Sequence, residues 1–296
     1  MPVTQQLVSG LKAIVSSSLA PNTWKLYNRA WTVLQDFGRT VHISVFPLES
    51  YNLGLFISYL FQKGYSTATI RTFVSAIGFY HKVNGLHDPS SSYMVEKAIQ
   101  GLKKLRPTID KRRAITIDML ANMVCSLFNL PLTMYERYLF KSMFLIAFFG
   151  LFRVGEITDS PHNVKVSNVS FTVNPEKVVF QCESFKHSVG PRSIHINRHA
   201  PTWLCPVQAL KAFNRIRQNV QGPLFVDDQN RPIQRSHFVK ILRSSLSICG
   251  YDTKVYQTHS FRIGGATLAA SKGMSILNIQ NLGRWKSNAF IKYIRY

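Results

Sequence analysis

The sequence predicts a mainly α chain with a small β-sheet, in two domains: an all-helical unit first and an α+β unit second. Three observations carry that reading. Apolar residues recur at helical spacing in five successive segments up to Leu105. The proline-broken basic stretch Leu102–Ala114 (LKKLRPTIDKRRA) then interrupts the pattern. Strand-like sequence is confined to a patch between Val164 and Ile196, with helical patterns before and after it. A length of 296 residues suffices for two ordinary domains with two cores, and an apolar share of 46% is that of a globular protein.

In the first unit, residues 1–105, residues 3–18 carry Leu7, Leu11, Ile14 and Val15 at helical spacing. Pro21-Asn22-Thr23 starts a second helix bearing Trp24, Tyr27, Trp31 and Leu34, which ends near Gly38. A third runs from Leu48 through Leu60 to Gly64. A fourth, Ser66–Val83, carries Ile70, Phe73, Val74, Ile77 and Tyr80 and stops at Asn84-Gly85. A fifth runs from about Ser90 to Leu105. The aromatic stripe reads as core and not as a surface on which bases stack.

Residues 106–114 read as a basic interdomain linker. Pro107 stops the helix, and Lys103, Lys104, Arg106, Lys111, Arg112 and Arg113 flank a short spacer. Such a run can track a phosphate backbone, act as a bipartite nuclear import signal, or be a solvated connector, and these readings are compatible. The second domain, residues 115–296, opens with a helix over Asp118–Leu130. Residues 133–157 are mostly helical and end in Gly150-Leu151-Phe152-Arg153-Val154-Gly155-Glu156. Val164–Val173, Lys177–Glu183 and Ser193–Ile196 read as strands, with a turn at Ser188–Pro191 and Lys186 at the hairpin shoulder. Pro206–Asn219 and Gln234–Cys249 read as helices around the loop Gln221–Pro232. The chain closes with His259–Tyr296.

Charge narrows the function classes. Lys and Arg outnumber Asp and Glu 36 to 14, a formal net charge of +22. Basic residues are spread along the whole chain, which points to a polyanion, most simply double-stranded DNA, ahead of an acidic membrane surface. The most apolar stretch, Leu139–Phe152, contains Lys141 and is too short to span a bilayer. The N-terminal residues are spaced helically, unlike a secretory signal. Cys125, Cys182, Cys205 and Cys249 are far apart with no zinc spacing, so a reduced compartment and no structural metal are expected. Neither phosphate-cradling glycine motif for nucleotides is present.

The C-terminal run concentrates the chemistry. His259 and Arg262 are three apart, hence neighbours on one helix face. Leu282-Gly283-Arg284-Trp285 and then Tyr293 follow. A histidine, a guanidinium, an indole N–H and a phenol suit phosphoryl transfer through a phosphotyrosine, with no metal ion. Attack on a phosphodiester builds negative charge on its non-bridging oxygens, and guanidinium forks are the best protein counterpart. Arg153 and Arg262 are the candidates for that clamp. A phenol of ordinary pKa ~10 needs a proton acceptor or an intensely positive site, and His259 can be that acceptor. Lys186 can protonate the leaving oxygen, and Glu156, three residues beyond Arg153, can hold that guanidinium from behind.

In order, GLFRVGEI, SFKHS before a hairpin turn, HSFRIGGA, LGRW and YIR resemble the catalytic domain of tyrosine recombinases, the family of phage integrases and Cre. The form GRW…YIRY is most similar to recombinases of eukaryotic mobile elements of the Crypton, DIRS and Ngaro kinds. The helical first unit resembles that family's core-binding (SAM-like) domain. The resemblance implies a C-shaped clamp on DNA, with Tyr293 as nucleophile, Arg153 and Arg262 on the phosphate, His259 beside them and Lys186 as general acid. Trp285 would fill a position held by His or Trp in relatives, with Arg284 as the other occupant and otherwise a DNA contact. Tyr296 is a second candidate nucleophile. The resemblance further implies no cofactor, a dimer on one site, a tetramer on two, and nuclear work. Alternatives are a DNA-binding protein that kept the fold without the chemistry, a type IB topoisomerase, and a metal-dependent transposase or nuclease drawing on only 14 acids.

Overall fold

The structure, a computed structural model, describes residues 3–107, 110–182 and 190–295. Lys186, Ser188 and Val189 of the hairpin turn beside it, and Tyr296 lie outside the described residues. The chain forms two compact units, Met1–Asp110 and Lys111–Tyr296. The division falls inside the stretch read as a linker. The backbone N–H of Arg113 donates to Val255 and that of Ile115 to Ser260, so the end of that stretch is built into the second unit.

The first unit consists of α1 (Val3–Ser17), α2 (Pro21–Val41), α3 (Ser50–Gln62), α4 (Thr67–Val83) and α5 (Tyr93–Leu105). Ser66 and Ser92 cap α4 and α5 by accepting from the N–H groups of Thr69 and Val95, which meets donors a helix start leaves unpaired. Leu34, Phe37, Phe56, Leu60, Phe73 and Ile77 form the core. The aromatic stripe of α2 packs as expected: Trp24 and Tyr27 lie against Phe79, and Trp31 against Phe46 and Tyr80. The apolar stripe of α1 does not. Leu7, Leu11 and Ile14 are 62–71% exposed and α1 buries no residue. The Trp24 indole N–H donating to the Ser16 carbonyl at 2.6 Å ties its end to α2.

In the second unit the central element is α7 (Met134–Phe149), whose Leu139, Phe140, Met143, Phe144, Ile146 and Phe148 are fully buried. A reciprocal Thr133–Glu136 capping box fixes its start. Before it come α6 (Ile117–Ser126) and a tight 3-10 turn, Leu127–Asn129, so the helix expected to reach Leu130 stops earlier. After it comes the single turn α8 (Val154–Ile157). Three antiparallel strands, β1 (Val169–Thr172), β2 (Lys177–Cys182) and β3 (Arg192–Asn197), lie in sequence order. β1 is shorter than expected. Val166–Asn168 is a 3-10 turn, and the N–H groups of Val164 and Val166 go to Glu156 and Gly222 instead of a ladder. Then follow α9 (Pro206–Ile216), α10 (Arg235–Ile248), α11 (Ser260–Ser271), α12 (Ile276–Gly283) and a closing 3-10 helix, Asn288–Tyr293.

Among the described residues no helix is long and apolar enough to cross a membrane. α11 is pressed against α7. A Cβ on Gly264 would overlap the Ile115 carbonyl oxygen, and one on Gly265 the Phe148 carbonyl oxygen. This close approach is what brings the start of α11 to the C-terminal end of α7.

Candidate active site

Three pieces of chain meet at the C-terminal end of α7. The first is the turn Gly150–Arg153. Leu151 takes the left-handed conformation there (φ 48), and Arg153 becomes the N-cap of α8. The second is the first turn of α11, which carries His259 at its N-cap and Arg262 one turn in. The third is the end of α12 with the 3-10 helix beyond it, carrying Arg284, Trp285 and Tyr293. A small apolar cluster of Leu151, Ala266, Ile279 and Phe290 holds this third piece down, with Trp285 and Tyr293 packed on it. Thr267 fastens it: its hydroxyl donates to the Tyr293 carbonyl and accepts from the Arg295 N–H, both at 3.1 Å. Nothing in the sequence singled out Thr267 or Leu151.

The side chains converge. The His259 and Tyr293 rings meet edge to face with centroids 4.8 Å apart, and the Trp285 and Tyr293 rings are 5.6 Å apart. The Arg262 guanidinium lies over the Trp285 ring at 4.4 Å. Arg262 is 1% exposed. Its Nη1 donates to the Leu151 carbonyl and its Nη2 to the Gly283 carbonyl at 2.7 Å, which leaves three of a guanidinium's five N–H donors beyond those bonds. Gly283 is tight because a Cβ there would enter the Trp285 ring.

Glu156 ties the guanidinium groups together. It is 4% exposed and accepts from the Arg153 backbone N–H at 2.7 Å, from Arg153 Nη1 at 3.1 Å and from Arg284 Nη2 at 2.6 Å. The expected bond between Glu156 and Arg153 is present. Burial pushes the Glu156 carboxyl up, but Arg284, Arg262 and Arg153 outweigh it and hold it below the usual glutamate range. Burial, with Arg284 and Arg153 nearby, pulls the Arg262 guanidinium well below its ordinary range. Three guanidinium groups face one carboxylate, so the site is strongly electropositive. Burial also pushes the nearby Cys182 thiol up to about 11, which makes it a poor nucleophile. Among the described residues no three His, Cys, Asp or Glu side chains gather as a metal-binding group.

One expectation is corrected. Arg284 is not a DNA-facing residue and does not occupy the place beside Tyr293. Its side chain is 0% exposed and points inward onto Glu156 and the carbonyls of Gly150, Leu151 and Leu282. Trp285 is the residue beside Tyr293. Lys103, Lys104, Arg106, Lys111 and Arg113 are exposed, with Arg106 stacked on Phe61 at 4.0 Å, and Arg112 is half-buried with its carbonyl accepting from Arg295.

No family model matches the chain. It is 24% identical over 303 residues to an integrase/recombinase xerD homolog of Selenomonas ruminantium, an alignment that takes in 96% of this chain and 84% of the relative. Among solved structures it is similar to the Tn1549 transposon integrase in complex with circular intermediate DNA, at a TM-score of 0.65 and 14% identity over 94% of this chain and 91% of that one. It is also similar to a lambda integrase dimer bound to a COC′ core site, at 0.66 and 16% over 100% and 96%. A third is the XerH site-specific recombinase bound to palindromic difH substrate, at 0.66 and 13% over 91% and 75%. At these identities the structural likeness establishes the fold.

Proposed function

We propose that this chain, a tyrosine-type DNA recombinase of the integrase kind by its curated relative and its fold, cuts and rejoins DNA through a covalent 3′-phosphotyrosine at Tyr293. The observation that carries the reading is the meeting of Tyr293 and Trp285 with His259 and Arg262 from a second chain segment, with Arg153 of a third joined to them through Glu156 and Arg284.

In the proposed step the Tyr293 phenolic oxygen attacks phosphorus and the bond from phosphorus to the 5′-oxygen breaks. His259 takes the phenol proton. Arg153 and Arg262 hold the non-bridging oxygens, where charge grows and where prealigned donors in a dry site act most strongly. The Trp285 indole N–H is a further donor. The departing 5′-oxygen takes a proton from Lys186, a role that rests on the resemblance. A 5′-hydroxyl, from the same or another strand, then attacks the phosphotyrosine and returns the phenol. One phosphate ester replaces another at each step, so no nucleotide need be hydrolysed.

The GRW…YIRY form supports integration or excision of a mobile element in a nucleus, by a dimer on each site that pairs into a tetramer. The test is peptide mapping of the adduct trapped on nicked duplexes drawn from a pool selected for binding. A single adduct on Tyr293, absent in Tyr293→Phe, is the expected result. An adduct on another residue, or retention of duplex by the wild type with no adduct, overturns the assignment.

A further inference from the structure

The proposed reaction leaves one buried cation at its centre without a task. Arg284 donates from Nη2 to Glu156 at 2.6 Å and to the Leu151 carbonyl at 3.0 Å. From Nη1 it donates to the Gly150 carbonyl at 3.3 Å and the Leu282 carbonyl at 2.8 Å. Its guanidinium also lies 4.7 Å from the Phe152 ring centroid. These bonds join the turn that carries Arg153 to the end of α12 that leads into Trp285 and Tyr293, stretches 128 to 134 residues apart in sequence. The Leu151 carbonyl is shared, because Arg262 donates to it too. Leu151 (φ 48) and Arg284 (φ 55) both occupy the left-handed region that L side chains rarely adopt. Conformations of that kind persist where the surroundings over-determine them.

We infer that Arg284 is a positioning residue for strand cleavage. It sets Arg153 through Glu156, sets Arg262 through the Leu151 carbonyl, and through its own left-handed turn aims Trp285 at Arg262 and Tyr293. A buried apolar side chain of the same size is often as stable as a buried ion pair. It cannot donate to four acceptors on two segments, and that is what separates alignment from mere filling. The carboxyl of Glu156, held below its usual range, keeps its charge opposite Arg284 at neutral pH.

The inference rests on the proposed reaction, and the experiment separates the two. The full chain is given a nicked duplex selected from random-sequence DNA by the wild-type protein. Adduct formation is followed in single turnover with protein in excess, beside gel retardation of the intact duplex. A displacement of about 1 Å in reacting groups costs on the order of 100-fold, so Arg284→Met is expected to slow adduct formation about that much while duplex affinity stays within about twofold. Arg284→Lys, which keeps a charge opposite Glu156 but lacks the planar fork, recovers part of the rate. Glu156→Gln combined with Arg284→Met is no slower than the slower single variant, as for residues that act as one unit. Where Arg284→Met does not fold, Arg284→Lys decides, alone and combined with Glu156→Gln.

Wild-type rates in the variants, or rate and affinity falling in equal proportion, overturn the inference. A wild-type protein that makes no adduct overturns the proposed reaction instead. Positioning is then read from the ¹⁹F line of Trp285 in protein labelled with 5-fluorotryptophan. That line shifts and broadens in Arg284→Lys if Arg284 sets the indole, and an unmoved line sinks the inference.

Discussion

Glu156 shows how much one side chain decides here. Arg153 and Arg284 both bond Glu156, and Arg262 shares the Leu151 carbonyl with Arg284; charges gathered this way repel, and the Glu156 carboxylate offsets that repulsion. A depressed carboxyl contributes stability that is fully present above its unfolded value, ~4.3, and is lost as the pH falls through its folded value. Glu156→Gln removes this titration without changing the shape. The wild type should therefore exceed the variant in unfolding free energy at pH 7 by about 3 kcal/mol, the scale of breaking a buried pair. The gap should close as the pH drops below ~4. Urea unfolding of both proteins from pH 7 to pH 3 measures this, and a gap that does not change with pH refutes the assigned ionisation. The same residues mark a limit of the sequence. His259 and Arg262 were legible because a helix keeps a three-residue interval on one face. Trp285 was legible too, as the indole beside Tyr293, but the inward place of Arg284 was not, because it depends on the left-handed residue ending α12, and linear spacing carries no record of that turn.

At the scale of elements, the approach of α11 to α7 is what makes the site possible, and Gly264 and Gly265 permit it. Alanine at Gly265 would meet the Phe148 backbone, which cannot swing aside as the tip of a side chain can. Gly265→Ala is expected to cost about 1–3 kcal/mol through overpacking and to slow adduct formation more than it weakens DNA binding. A denaturant melt and a gel retardation series read the two effects separately, and a variant as stable and as fast as the wild type refutes the close contact. Elements bounded by strong punctuation were legible. α4 starts one residue after Ser66 and α9 at Pro206, where caps and proline fix the boundary. Two elements misled for physical reasons. The α1 stripe has helical period but no partner surface among the described residues, and periodicity reports amphipathicity, not burial. The stretch Val164–Asn168 alternates like a strand, yet its N–H groups are claimed by the Glu156 and Gly222 carbonyls before a ladder can form.

For the molecule as a whole, a net charge of +22 is far more than solubility requires, and its use should be visible as a salt dependence. Each lysine or arginine that neutralises a DNA phosphate adds about 0.9 to the slope of log affinity against log salt. Lys103, Lys104, Lys111 and Arg113 are exposed and lie either side of the division between the two units. Their side chains carry none of the hydrogen bonds described above, so replacing all four with glutamine should leave folding within about 0.5 kcal/mol, as for ordinary surface changes. If these four track phosphates, the slope should flatten by as much as ~3.6, and affinity should fall by the same factor on selected and unrelated duplexes alike, because a phosphate contact reads no base. Titrations of both duplexes from low to high salt give the slope directly. A slope that stays put while folding is intact removes this stretch from the DNA interface. A loss confined to the selected duplex would mean that the stretch reads bases, which the even spread of charge in the sequence gives no reason to expect.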